Sequence, residues 1–209
     1  MSTDAQTIAI AIVSAYLMGS FPAAYIVARL RKGIDIREVG SRNMGATNVL
    51  YEVGIPEGLL VFCVDVGKGA AAVMLARWLG ASFTIQLAAG GVSMLGHAFP
   101  VFLKFRGGKG AGACLGAFAS LMPQAIPYYF GLFVALLLIS RSTTLSYGAA
   151  LLSVPFMAWL IYHSSDLIIF TVVMLLVLVT RYIPRIKEMH ARAGGWRGMI
   201  FRRSLKERF

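Results

Sequence analysis

The stretch Phe99-Pro-Val-Phe-Leu-Lys-Phe-Arg-Gly-Gly-Lys-Gly110 sets Lys104, Arg106 and Lys109 among Gly107, Gly108 and Gly110. Glycines lack a Cβ, so backbone N–H groups there can approach an anion closely, and the cations add charge-assisted hydrogen bonds. That combination suits phosphate. A second polar segment, Arg29 to Glu57, gathers Ser41, Arg42, Asn43, Gly45, Thr47 and Asn48, small donors in turn-forming types. His97 stands a short way before the glycine loop and is the candidate base, with a hydrogen-bonded structural histidine as the plainer reading. Asp65 and Lys68 interrupt an apolar run; three apart on a helix they share a face and can pair. Asp35, Glu38 and Asp65 lie close to these donors, too few clustered carboxylates for a hard-cation site. Neither a Walker A pattern nor H-E-x-x-H occurs, and His97 is followed five residues later by Phe102, which excludes an H-x4-D pair. The expectation is a donor-rich pocket for one or two phosphates, with no metal and no cofactor.

The elements that position these residues belong in a bilayer. The chain has 209 residues, 58% hydrophobic and 14% charged, with mean hydropathy +0.73; soluble domains average about 25% charged. Apolar runs at 6–28, 58–78, 80–103, 110–122, 125–140, 144–162 and 166–183 predict an all-α integral membrane protein with seven transmembrane helices, six if one polar-interrupted run does not cross. Pro22 predicts a kink in the first, and Gly67 with Gly69 a local break in the second. No composition break marks a second domain, so the chain reads as one transmembrane domain over 1–209, with a basic tail over 184–209 lying on the membrane surface. Cys63 and Cys114 read as packed thiols. The first six residues lack a basic n-region, so the first run is expected to be retained.

The net charge of +11 does not imply nucleic acid, because the cations flank apolar runs. With the N-terminus outside, every lysine and arginine except Arg77 and Lys68 falls on the inner side. This puts the C-terminus and both polar segments on the cytoplasmic face of the plasma (inner) membrane. The expected contacts are membrane lipids and small phosphorylated substrates, and the expected state is a monomer.

Four motifs then align. Gly19-Ser20-x-Pro22, Asp35-Ile-Arg37-x-x-Gly40-Ser41-x-Asn43-x-Gly45-Ala-Thr-Asn48, Asp65-x-x-Lys68-Gly69 and Gly96-His97-x-x-Pro100-x-x-x-x-Phe105-x-Gly107-Gly-Lys-Gly110 resemble the bacterial acyl-phosphate:glycerol-3-phosphate acyltransferase family over residues 10–120. The resemblance implies seven spans, a cytoplasmic site, and transfer of a fatty acyl group from acyl phosphate to the 1-hydroxyl of glycerol 3-phosphate, giving lysophosphatidate and phosphate. It implies that Ser41 and Asn43 hold the acyl phosphate or the attacking hydroxyl, that the 45–48 turn and 107–110 loop bind phosphate, and that Lys109 neutralises charge. Thr144 and Ser146 loosely match a serine-rich turn that would also contact substrate. Three positions depart from the family pattern: Arg42 replaces a glycine, Tyr51 an arginine, and Arg181-Tyr-Ile-Pro184-Arg185 a His-x-x-Asn-Ile motif. Arg42 and Arg181 are candidates to restore the lost positive charge. The alternatives are a relative with another phosphorylated acceptor and a non-catalytic anion-binding or transport protein; polar residues gathered on one face, without internal repeats, favour an enzyme.

Overall fold

The structure, a computed structural model, describes residues 4–200, and these form helices and turns with no strand among them. The first apolar run is two helices, α1 (Ala5–Ser20) and α2 (Ala23–Lys32). The expected kink is therefore a full interruption: Pro22 has no N–H to continue the ladder, and it takes φ −93° and ψ 60° at the joint. Gly33, left-handed at φ 68°, ends α2 behind Arg29, Arg31 and Lys32 in its last turn. After the polar segment come α3 (Ala46–Glu52), α4 (Ile55–Trp78) and α5 (Phe83–Ala98), a 3-10 turn over Val101–Leu103, and α6 (Ala111–Leu121). The chain continues through α7 (Ala125–Ser140), α8 (Thr143–Leu151), α9 (Val154–Tyr162), α10 (Ser165–Arg192) and α11 (Trp196–Ile200).

Each of the seven apolar runs is helical. Ala5–Lys32, Ile55–Trp78, Phe83–Leu103, Thr143–Tyr162 and Ser165–Arg192 are long and apolar enough to cross a membrane; Ala111–Leu121 and Ala125–Ser140 are shorter apolar helices. The expected break at Gly67 and Gly69 is absent, and α4 runs through both. Gly69 serves close packing instead, since a Cβ there would strike the Ala113 carbonyl of α6, while one on Gly116 would strike the Val66 carbonyl of α4. Small residues at such crossings let membrane helices touch backbone to backbone.

The chain forms two compact units, Met1–Leu121 and Met122–Phe209. Two apolar clusters lie among the described residues of the first. Ala11 and Ala15 of α1 meet Ala72 and Ala76 of α4 and Ala89 of α5. Ala23, Ala24 and Ala28 of α2 meet Ile36, Met44, Val49 and Val61. The second cluster matters for function, because burial of Ile36 and Met44 pins the polar segment onto the helices. In the second unit Tyr129 is buried, with Phe130 and Tyr147 edge-on at ring-centroid distances of 5.4 and 6.1 Å. The Tyr162 hydroxyl accepts the Gln124 N–H at 2.9 Å. Within the basic segment from 184 onward, Glu188 pairs with Arg185 and Arg192 at 2.7 Å each, and residues 201–209 lie outside the described residues.

Candidate active site

The polar segment between α2 and α3 is built around one buried amide. Asn48 Oδ1 accepts the Ser41 N–H at 2.9 Å, and Nδ2 donates to the carbonyls of Ile36, Val39 and Asn43 at 2.9–3.1 Å. Asn48 is 3% exposed, so the residue expected to hold substrate is turned inward and spent on the loop's own backbone. Its partners carry the outward groups: Ser41 and Asn43 are half-buried, and Arg42 and Thr47 are exposed. Gly45 caps α3. Arg42 adopts left-handed backbone, φ 55°, a conformation uncommon for residues with a side chain. Nearby, Arg37 pairs with Asp35 at 2.7 Å and lies over the Tyr25 ring. The Arg37 hydrogen bond to Asp35 holds that carboxyl below the ordinary aspartate value.

The second polar loop leaves the end of α5. Gly108 N–H donates to the His97 carbonyl at 3.1 Å, folding the loop back on the helix. A Cβ on Gly107 would collide with the His97 carbonyl and the Pro100 ring. One on Gly108 would collide with His97 Nε2 and with the Met44 carbonyl. Gly108 is therefore where the two polar segments meet, and glycine is required there by its neighbours as well as by any anion. Gly110 has φ 88° and opens α6. Lys109 is half-buried between these glycines, and Lys104 and Arg106 are exposed.

Beneath this junction lies a buried ionic cluster. Asp65 Oδ1 is 2.8 Å from Lys68 Nζ and 3.3 Å from His97 Nδ1. Lys68 Nζ also donates to the Phe21 carbonyl at the α1–α2 interruption (3.1 Å), and Ser93 Oγ donates to the Lys68 carbonyl (3.4 Å). Asp65, Lys68, Ser93 and His97 are all at most 7% exposed. Charges this deep need such partners. The expected pair of Asp65 and Lys68 is present. The third member, His97, comes from α5, and its Ser93–His97 spacing of four, one helical face, is the signal that marks it. The Phe21 and Met44 carbonyls are backbone contributions that side-chain types do not reveal.

Ser41, Arg42, Asn43, Gly45, Thr47, Asn48, His97, Lys104, Arg106 and the 107–110 loop thus all lie in the first unit, with Asp65 and Lys68. Thr144 and Ser146 belong to the second unit. Thr144 is half-buried in the first turn of α8, and Ser146 is buried with its Oγ 2.8 Å from Ser140 Oγ.

Comparison with known proteins agrees over almost the whole chain. A family model described as glycerol-3-phosphate acyltransferase matches residues 9–192. A glycerol-3-phosphate acyltransferase 2 of Dehalococcoides mccartyi is 46% identical over 201 residues, covering 95% of this chain and 96% of the relative. A glycerol-3-phosphate acyltransferase of Endomicrobium trichonymphae is 37% identical, covering 87% and 92%. Among solved structures, the glycerol 3-phosphate form of PlsY (YgiH), an integral membrane glycerol 3-phosphate acyltransferase, superposes with TM-score 0.83 at 28% identity, covering 97% of this chain and 95% of that one. Its lysophosphatidic acid form gives TM-score 0.81 at 27% identity over the same shares. With a match that runs from α1 to the last residue of α10, and relatives aligned over nearly their full length, this chain belongs to the glycerol-3-phosphate acyltransferase family.

Proposed function

We propose that the protein moves a fatty acyl group from acyl phosphate to the 1-hydroxyl of glycerol 3-phosphate, releasing lysophosphatidate and phosphate, the first acylation of phospholipid synthesis. The observation that carries this reading is the meeting of the two polar segments at Gly108, above apolar helices. Both substrates carry phosphate, and one also carries a tail that needs apolar surroundings. The names of the relatives, and the two ligand forms of the solved structures, agree with this acceptor and this product.

Acyl phosphate is already activated, so the protein need not supply a nucleophile. The glycerol hydroxyl oxygen bonds to the acyl carbon, the carbon–oxygen bond to phosphate breaks, and the hydroxyl proton ends on the departing phosphate. Positioning and fixed donors then lower the barrier. Ser41, Asn43 and Thr47 serve as donors from the first segment. Lys109 and the N–H groups of Gly107, Gly108 and Gly110 serve the phosphate. Arg42, Lys104 and Arg106 add positive charge, and Thr144 and Ser146 are read as contacting substrate. Asn48 shapes the loop through its backbone bonds. His97, buried with Nε2 against Gly108, is better placed to hold the loop than to reach a hydroxyl, and Asp65 with Lys68 supports it. The chain is read as a monomer in the plasma membrane, crossing seven times, with its N-terminus outside and its site and C-terminus cytoplasmic; the distribution of lysine and arginine supports that orientation.

The test is purified protein with palmitoyl phosphate and glycerol 3-phosphate, following phosphate release and lysophosphatidate, with Lys109→Ala alongside. Turnover that needs the acceptor and collapses in the variant is the expected result. A second reading, a different phosphorylated acceptor, is favoured by Arg181-Tyr-Ile-Pro184-Arg185 standing where the family carries His-x-x-Asn-Ile. Phosphate release with another polyol phosphate, but none with glycerol 3-phosphate, establishes it.

A further inference from the structure

The end of α10 and the short helix after it form an elbow that acyl transfer does not call for. The apolar part of α10 ends at Ile183, yet the helix continues through Pro184 to Arg192, so its cations follow the apolar run with no linker. Gly194 and Gly195 then take positive φ, 66° and 123°, and the Gly195 N–H donates to the His190 carbonyl at 3.2 Å, a Schellman-type stop. The chain turns back on itself there. The Trp196 and His190 rings lie 4.6 Å apart between centroids, and a Cβ on Gly198 would strike the Ala193 carbonyl. Met189 of α10 and Met199 of α11 are buried, whereas Trp196 is 60% exposed, and Lys187, Arg192 and Arg197 are exposed with it. Glu188 is the one acid in residues 181–200, against Arg181, Arg185, Lys187, Arg192 and Arg197, and it holds Arg185 and Arg192 in ion pairs.

We propose that this elbow, from Lys187 to Arg197, is a docking surface for the headgroups of anionic phospholipid. Residues rise about 1.5 Å along a helix axis, which sets Lys187 about 6 Å and Arg192 about 14 Å beyond Ile183. Salt screens charge over about 8 Å at physiological strength, so a helix running straight on would carry any later cation out of reach of a charged leaflet. The reversal prevents this. Trp196, stacked at the level of His190, stands only about 10 Å beyond Ile183 along the axis, and Arg197 follows it. An exposed indole among cations is the combination that a negative interface rewards twice, since the ring favours the headgroup level and each cation gains from acidic lipid. Zwitterionic lipid rewards the ring alone. A merely solvated basic face needs neither a glycine pair that returns it toward the apolar run nor an open tryptophan on it. Glu188 prearranges two of the arginines without cancelling the surplus of positive charge.

The experiment uses the full chain with Trp78→Phe and Trp159→Phe, which leaves Trp196 as the sole tryptophan. The protein is reconstituted in vesicles of phosphatidylcholine and phosphatidylglycerol in equal parts, with one lipid brominated at a time. Bromine quenches an indole it touches, so the two measurements give the lipid that lies beside Trp196. The anionic lipid should be preferred about fivefold at low ionic strength, the effect of one cation near a charged surface. Salt at about 0.5 M should reduce the preference to less than about twofold. Lys187→Gln with Arg197→Gln should do the same at low salt, with both Glu188 pairs and the Tm unchanged. Equal quenching by the two lipids overturns the proposal, because an aromatic anchor alone behaves that way. Quenching by neither also overturns it, since the elbow then stands clear of the bilayer. A preference that survives in the double variant takes the anionic lipid away from this surface and overturns it as well.

Discussion

Asp65 Oδ1 stands 3.3 Å from His97 Nδ1, and each of these side chains is only 4% exposed. The same oxygen is 2.8 Å from Lys68 Nζ, so one carboxylate atom joins a cation on its own helix to an imidazole on the next. The other imidazole nitrogen faces Gly108. The ionic cluster therefore underlies the glycine loop and fixes the end of α5 from which that loop departs. His97 Nδ1 thus lies within ion-pair distance of the carboxylate while Nε2 lies against Gly108.

Removing one partner from such a cluster is expected to be worse than removing two. Asp65→Asn leaves the Lys68 ammonium without its counter-charge at depth, at a cost of about 3–5 kcal/mol. Asp65→Asn with Lys68→Met removes both charges and should recover much of that loss. Thermal unfolding in detergent reads the difference. A double variant as unstable as Asp65→Asn alone shows that the cluster's value lies elsewhere.

The amide of Asn48 makes a sharper prediction about the loop. Asn48→Ala strips one acceptor and the shared donors from four backbone groups, so a loss of about 2 kcal/mol in stability is expected. Its kinetic effect should be a raised KM for a substrate with kcat/KM falling in parallel, because Ser41 and Asn43 lose the scaffold that spaces them. Asn48→Asp keeps the acceptor for the Ser41 N–H but sets a charge against three carbonyls, and it should be no better than alanine. A variant with wild-type kinetics and wild-type Tm contradicts this account.

Asp35 supplies a pH test with a definite sign. Its pairing with Arg37 lowers the folded-state value, so the stabilisation is present above the unfolded aspartate value, about 3.9, and is lost as pH falls through the lower folded value. Wild-type stability should therefore decline below about pH 4 more steeply than that of Asp35→Asn, by up to about 1 kcal/mol for a pair this accessible. Equal slopes for the two proteins in acid unfolding rule the pair out as a contributor.

Much of the fold was legible in the hydropathy, since every apolar run became helix, and Pro22 marked where the first would yield. Residue type misled at Gly67 and Gly69: α4 runs through both, and Gly69 serves contact with α6 and not a change of direction. At the candidate site, the residue types singled out two segments, and the fold brings those two segments together at Gly108. What the types could not convey was which of them face inward. Asn48 and Ser41 are seven positions apart in an irregular loop, and only the folded backbone shows that one side chain holds the other's N–H. Periodicity has no purchase on such a segment, whereas at Ser93 and His97 a helical spacing of four would have shown the shared face.

Arg42 offers a prediction in which stability and activity move in opposite directions. It sits at φ 55°, at the position where the family pattern it resembles has glycine, and its side chain is exposed. A left-handed arginine costs about 1 kcal/mol relative to a residue that adopts this angle freely. Arg42→Gly should therefore raise stability by roughly that amount, seen as a higher Tm. If the guanidinium compensates for the missing His-x-x-Asn-Ile motif, the same substitution should raise KM for glycerol 3-phosphate by about tenfold while leaving KM for acyl phosphate nearly unchanged, the loss of one charge-assisted contact. Arg42→Asn tolerates the backbone angle without the charge and should share the kinetic defect, whereas Arg42→Lys should retain part of the affinity. A glycine variant that is more stable and kinetically indistinguishable from wild type would leave Arg42 without a part in acceptor binding and Arg181 as the remaining candidate.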